Sequence, residues 1–232
     1  MPIVTGTFTG FRPDAIQFLA DLAANNERTW FQPRKADYGR LLKEPLEALC
    51  AALAERFEAK GIPLRSDPAR SPFRIYRDVR FSRDKSPYKA NLGASFPWAG
   101  GGEGSAGGYF HLAPGEVFVG GGMWHPEPAK LHAFRRLVDT EPGRVHAVID
   151  DPTFVAAFGS ISGEALTRVP QGYRSNHPDA DLLKLKGVVF MRRLSDADAA
   201  SPDLPDRLAE TLELGLPLLR LLASLPASAA AP

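Results

Sequence analysis

The stretch Phe73-Arg74-Ile75-Tyr76-Arg77-Asp78-Val79-Arg80-Phe81 constrains this chain more than any other, because strand-forming residues and fixed charges are interleaved along it. Read with the two-residue period of a strand, Phe73, Ile75, Val79 and Phe81 share one face with Arg77 in their midst. Arg74, Tyr76, Asp78 and Arg80 share the other. On this pattern Arg77 points toward a core and needs a carboxylate or an anion there, since arginine stays protonated and an unpaired buried charge is strongly destabilising. The opposite face becomes a cationic surface with an aromatic at its centre. From Arg65 to Lys89 there are eight Lys or Arg against three Asp, a surplus of five in a chain whose whole surplus is one. Basic charge is therefore concentrated here and outweighed by acid elsewhere.

The segments that follow extend the sheet. A turn at Ser82–Pro87 leads to a second strand over about Tyr88–Trp98. Tyr109–Leu112 and Glu116–Val119 flank Ala113-Pro114-Gly115 as a hairpin. Four consecutive strands with short connections predict an antiparallel meander. Further strands are expected at Leu166–Val169 and Val188–Leu194. Helices are expected from Pro13-Asp14 with the stripe Ala15, Ile16, Leu19, Leu22 and Ala23, and from about Lys35 to Ala59. Others are expected at Glu127–Val138, at Gly143–Phe158 with a break at Pro152, at Asp179–Lys184, and at Pro202–Leu225 with a kink at Gly215–Pro217. Helices toward both chain ends around a mostly antiparallel sheet define an α+β class. The expected organisation is one domain over residues 1–226 and a disordered alanine-rich tail over 227–232.

Composition excludes several classes. No apolar run approaches the roughly 20 residues needed to cross a bilayer, and the N-terminus has neither the basic nor the apolar region of a signal peptide. A cytoplasmic protein without a membrane partner is the expectation. The lone Cys50 rules out an internal disulfide and a cysteine-rich zinc site, and its apolar neighbours Leu49 and Leu53 mark it as a core residue. The five histidines show no metal-ligand spacing. Gly102-Glu103-Gly104-Ser105-Ala106-Gly107 spells G-x-G-x-x-G. A strand-like segment follows it where a dinucleotide fingerprint needs a helix, so it reads as a flexible loop and implies no cofactor.

Arg74, Arg77, Asp78, Arg80, Phe81, Asp84, Lys85 and Tyr88 resemble the signature of a family known mainly from bacteria as domain of unknown function 2461. The resemblance continues through Phe18-Leu19, Asn25-Asn26, Trp30-Phe31 and Tyr38, through Tyr109, Gly120-Gly121-Gly122 and Pro126, and through Arg168, Pro170, Gly172, His177-Pro178, Leu183-Lys184 and Lys186. It covers nearly the whole chain. It implies family membership and no particular activity or catalytic residue.

Function therefore rests on the residues. The first expectation is a phosphate-bearing small molecule or nucleotide held in a cationic pocket. Arg74, Arg77, Arg80, Lys85 and Lys89 would grip the anion, Tyr88 would orient it, Asp78 would set the guanidinium geometry or act as base, and Asp84 would stand among the ligand-binding residues. Arg168 and His177, in the polar segment before Lys184 and Lys186, would form a second wall. His177 would transfer protons or else cap the helix at Asp179. Gly120-Gly121-Gly122 would let backbone amides approach an anion, or form a tight turn under Trp124. Two alternatives stand beside this: nucleic-acid binding on an open basic face, and a structural or interaction module whose charges pair internally. In the last case Glu44, Glu47, Glu55 and Glu58 would supply the balancing acid.

Overall fold

A computed structural model of the chain describes residues 6–101 and 106–226. The 227–232 tail and most of the glycine loop, residues 102–105, lie outside the described residues. The first helix, α1, spans Pro13–Ala24, opened by Pro13 in its first turn and stopped at Asn25, whose N–H bonds Asp21 O at 3.0 Å. Helical structure resumes earlier than expected. α2 (Arg28–Phe31), a 3₁₀ turn (Gln32–Arg34) and α3 (Lys35–Tyr38) lead through a π-helical turn at Gly39–Lys43 into α4 (Glu44–Ala59). The widened turn sits just before Pro45, which has no N–H to continue the α-helical ladder.

The sheet has four antiparallel strands in the order β1-β2-β3-β4: β1 (Leu92–Pro97), β2 (Gly107–Ala113), β3 (Glu116–Met123) and β4 (Val188–Leu194). Between β3 and β4 lie α5 (Pro128–Thr140), α6 (Pro142–Ile149), α7 (Pro152–Phe158) and α8 (Ala180–Lys184). After β4 come α9 (Asp196–Ala200), α10 (Leu204–Leu214) and α11 (Leu216–Ala223). The α+β class, the break at Pro152 and the interruption at Gly215–Pro217 agree with expectation. The short α9 was not foreseen; Ser195 and Asp198 form a complete capping box at its start.

Two expected strands do not form. Residues 73–81 make no regular strand, and residues 166–169 do not either: Ser162 and Ala165 contribute only isolated bridges, to Val189 and Leu185. In the first case the physical reason lies in Pro72 and Pro87, which cannot donate to a ladder, and in a register break. Antiparallel bridges join Pro72 to Ala94 and Tyr76 to Tyr88. Four residues on one side thus face six on the other, which interrupts the ladder, and beyond Arg77 no pairing holds the chain to the period-two assignment of faces.

The chain divides into two compact units, each drawn from several segments. One comprises Met1–Phe96, Tyr109–Val119 and Arg193–Glu210; the other comprises Pro97–Gly108, Gly120–Arg192 and Thr211–Pro232. In the first, Phe57 of α4 meets Phe96 of β1 edge-on at 5.7 Å, and Phe11 stacks on Phe110 of β2 at 6.0 Å. Cys50 is buried in this core, and burial pushes its thiol up to about 12. In the second, Phe190 of β4 packs against Phe158 at 4.5 Å and Phe154 at 6.1 Å.

Gly120-Gly121-Gly122 lie inside β3, not in a turn after it. A Cβ at Gly120 would stand 2.3 Å from Phe190 O, one at Gly121 2.8 Å from the Phe190 ring, and one at Gly122 2.0 Å from Val188 O. The glycines are there because β4 approaches too closely for side chains. The expectation that they contact an anion, or form a turn, is corrected on that ground.

Candidate functional site

The signature residues form an irregular hairpin in the first unit. Its base is pinned by backbone bonds Phe73 N to Gly93 O at 2.8 Å and Ser95 N to Ser71 O at 2.9 Å. Farther out, Lys89 N donates to Ile75 O at 2.7 Å and Arg77 N to Pro87 O at 2.9 Å. Beyond Arg77 the chain leaves its partner and turns through residues 78–86. Alternation is already imperfect within the paired part, and beyond Arg77 no pairing enforces it. Ile75 is buried as expected, but Phe73 is 42 % exposed and Phe81 is 95 % exposed.

Arg77 does not enter the core. Its side chain is 30 % exposed and its Nη1 donates to Asp84 Oδ2. Asp84 is held further by Ser86, whose N and Oγ donate to Oδ1 at 2.9 and 2.6 Å. The Arg77 guanidinium first, and then Ser86, hold the Asp84 carboxyl well below the usual carboxylate range. Arg80 grips Asp78 through Nε at 3.0 Å and Nη2 at 2.7 Å, and its own backbone N–H also donates to Asp78 at 3.2 Å. These bonds lower the Asp78 pKa. A carboxylate so occupied sets arginine geometry and is poorly suited to take a proton.

The third acid, Asp67, lies 3.8 Å from Arg70. All three acids of the 65–89 segment are thus spent on three of its eight cations. Arg65, Arg74, Arg83, Lys85 and Lys89 make no ion pair among the described residues. Lys85 instead donates to Val79 O at 2.9 Å. Lys89 sits 5.0 Å over the Phe73 ring, and burial, then Arg74, lowers its pKa. The acids of the long helix do not restore balance. Glu47 takes Lys43 at 2.6 Å, and Glu44, Glu55 and Glu58 form no ion pair with the hairpin.

Tyr88 occupies a different place from the one expected. It is 1 % exposed and stacks on Phe31 at 4.2 Å, so its ring belongs to the packing rather than to a ligand-facing surface. Tyr76, 5.5 Å from the Tyr88 ring, is the exposed tyrosine of the pair at 45 %. Asn26 is a residue the sequence reading missed as a determinant of this site: its side-chain amide pairs with the backbone of Tyr88 in both directions. Tyr109 is another. Its ring lies 5.8 Å from Phe73, and its OH could not sit beside β1 if residue 93 carried a Cβ, which would stand 2.6 Å away. Tyr109 OH is 3.1 Å from His111 Nδ1, while Nε2 of that histidine is buried without a hydrogen bond and lies 3.8 Å from Glu116.

Arg168 and His177 belong to the second unit and have surroundings of their own. Arg168 is exposed and forms no ion pair among the described residues. His177 is 8 % exposed; its Nδ1 accepts from Asp179 N at 3.0 Å and its Nε2 faces Asp139 at 3.4 Å. Both ring nitrogens are engaged, as in the capping alternative. Lys184 pairs with Asp181 at 2.9 Å and Lys186 with Glu164 at 3.4 Å. The segment is further tied by Arg135 of α5, a buried arginine missed in the sequence. It donates from Nε to Leu183 O at 2.8 Å and from Nη2 to Leu185 O at 2.9 Å. Among the described residues no group of three or more His, Cys, Asp or Glu is arranged to hold a metal ion, and no helix is long and apolar enough to cross a membrane.

An α+β scaffold that presents a basic, aromatic hairpin from its first unit is the class these features define. The chain belongs to the family described as conserved hypothetical protein (DUF2461), whose model matches residues 14–220. No curated protein and no solved structure matches it.

Proposed function

We propose that the 73–89 hairpin binds a phosphate-bearing ligand, a nucleotide in the simplest case. One observation carries this: the segment's acids are exhausted by Arg70, Arg77 and Arg80, and five cations remain without an acid among the described residues. A network built only for stability would spend its charges on each other, because unpaired like charges repel. Arg74, Arg83, Lys85 and Lys89 are the contact groups. Arg77 and Arg80 are positioned by Asp84 and Asp78 and offer their remaining donors. Binding alone is proposed, without turnover.

A second reading has its own support. The Arg77–Asp84 pair closes the turn and the Arg80–Asp78 pair stiffens its outgoing limb, which suits a structural or interaction module. Tripolyphosphate separates the two. Titrated by calorimetry, it binds the native chain, and the Arg74→Ala/Lys85→Ala variant loses about tenfold or more in affinity at unchanged Tm. Unchanged affinity in that variant, or a fall in Tm without a fall in affinity, decides for the structural module.

A further inference from the structure

Resting on the anion-binding reading above, we infer that this hairpin binds single-stranded nucleic acid, with Phe81 and Tyr76 stacking on bases while Arg74, Arg83, Lys85 and Lys89 follow the phosphates. Phosphate binding alone leaves the aromatic residues of the hairpin without a role. Among the described residues the exposed large hydrophobics are Phe73, Tyr76, Phe81, Trp124, Val155 and Met191. Half of them fall within nine consecutive residues of one basic segment. Phe81 is 95 % exposed, so its ring contributes nothing to packing. The Arg80 guanidinium lies 5.8 Å from the centre of its ring. A ring left this exposed keeps its apolar faces available to a partner that covers them.

The order of groups along the chain matches a single strand. Ring and cation alternate: Phe73 with Arg74, Tyr76 with Arg77, Phe81 between Arg80 and Arg83. A single strand likewise alternates phosphates with base faces open to stacking, and base–aromatic stacking is tolerant of sequence. A mononucleotide has one base and would leave most of the rings uncovered. Duplex base faces are already stacked, so a protruding phenylalanine must first unstack a base step to reach one. An anionic membrane fits less well. Phe81 stands alone among Arg80, Ser82, Arg83 and Asp84 rather than within an apolar patch, and the exposed carboxylates of Asp78 and Asp84 flank it.

Fluorescence anisotropy of the full chain with labelled dodecameric oligothymidylate and oligouridylate tests this, with a duplex of equal length and vesicles of phosphatidylcholine and phosphatidylserine as the other arms. Both single strands bind more tightly than the duplex. Phe81→Ala weakens them about tenfold with Tm and salt slope unchanged, Phe81→Trp restores binding, and Lys85→Ala lowers the salt slope by about 0.7. Equal affinity of Phe81→Ala and the native chain, tighter binding of the duplex, or capture by vesicles without capture of oligonucleotide each overturns the inference. If tripolyphosphate binds and the oligonucleotides bind no better, stacking fails and the phosphate reading survives. If neither binds, both fail.

Discussion

Asn26 and Tyr88, 62 residues apart, are joined as two strands would be: Asn26 Nδ2 donates to Tyr88 O at 2.9 Å, and Tyr88 N donates to Asn26 Oδ1 at 3.0 Å. A side-chain amide here replaces a neighbouring strand at the point where Pro87 has already removed one donor. It anchors the return limb of the hairpin to the segment just after α1. Asn26→Ala leaves a buried N–H and C=O without partners, which costs about 2–4 kcal/mol. Urea denaturation measures the loss; a change below about 0.5 kcal/mol would mean that the bracket is not a structural anchor.

Gly122 has φ of 134°, and a Cβ there would stand 2.0 Å from Val188 O. Gly122→Ala therefore combines backbone strain with a clash against a backbone atom that cannot rotate away. The expected destabilisation is about 3 kcal/mol or more, and Gly115→Ala is the control. Gly115 also has positive φ, at 71°, but has open space around it, so strain alone gives about 1 kcal/mol. Chemical denaturation of the pair separates the two effects.

His146 of α6 lies 2.8 Å from Asp179 through Nε2 and 2.8 Å from Asp150 through Nδ1. Both bonds are donated only by the imidazolium, and Asp179 first, then Asp150, raises the histidine pKa. A raised folded-state value stabilises fully below the unfolded value of about 6.5, and the stabilisation disappears as pH rises through the folded value. The Tm gap between the native chain and His146→Ala should be widest near pH 6 and should narrow on the alkaline side. A gap constant across this range would show that His146 acts by packing alone.

Asp84 holds Arg77 and both donors of Ser86. Asp84→Asn keeps the size and removes the charge that occupies Arg77. If the hairpin binds phosphate, affinity for tripolyphosphate rises by severalfold, because one more guanidinium is released and one repelling carboxylate is lost. The Ser86 amide should exchange faster as its acceptor weakens. The acid limb follows the opposite sign to His146: a depressed carboxyl pKa stabilises above the unfolded value of about 3.9 and loses that contribution as pH falls through the folded value. Proton-exchange NMR and calorimetry on this variant check both effects.

Local rules were legible wherever the cause was local. Pro13, Pro152 and the Gly215–Pro217 break placed helix ends correctly, because a missing N–H acts within one turn. The turn Ala113-Pro114-Gly115 placed β2 and β3 as a hairpin, and an apolar run placed β4. Strict alternation misassigned Phe81 and Arg77, because the pairing ends at Arg77 N to Pro87 O and nothing holds the residues beyond it to a face. The π-helical turn before Pro45 and the bracket by Asn26 carried a sequence trace, a proline and an asparagine, but not the partner that gives each its meaning.

By itself the sequence determined an α+β chain, the positions of most elements, and a basic, aromatic segment carrying five more cations than acids. Those properties depend on residue type and on spacing within a few positions. The tertiary structure decided which cations are spent and which remain. It turned Arg77 toward Asp84, buried Tyr88 against Phe31, and left Phe81 in water. It also showed why three consecutive glycines stand in β3, since Val188 and Phe190 occupy the space their side chains would need. Charge balance and steric fit are sums over neighbours distant in sequence, and only the folded chain brings those neighbours together.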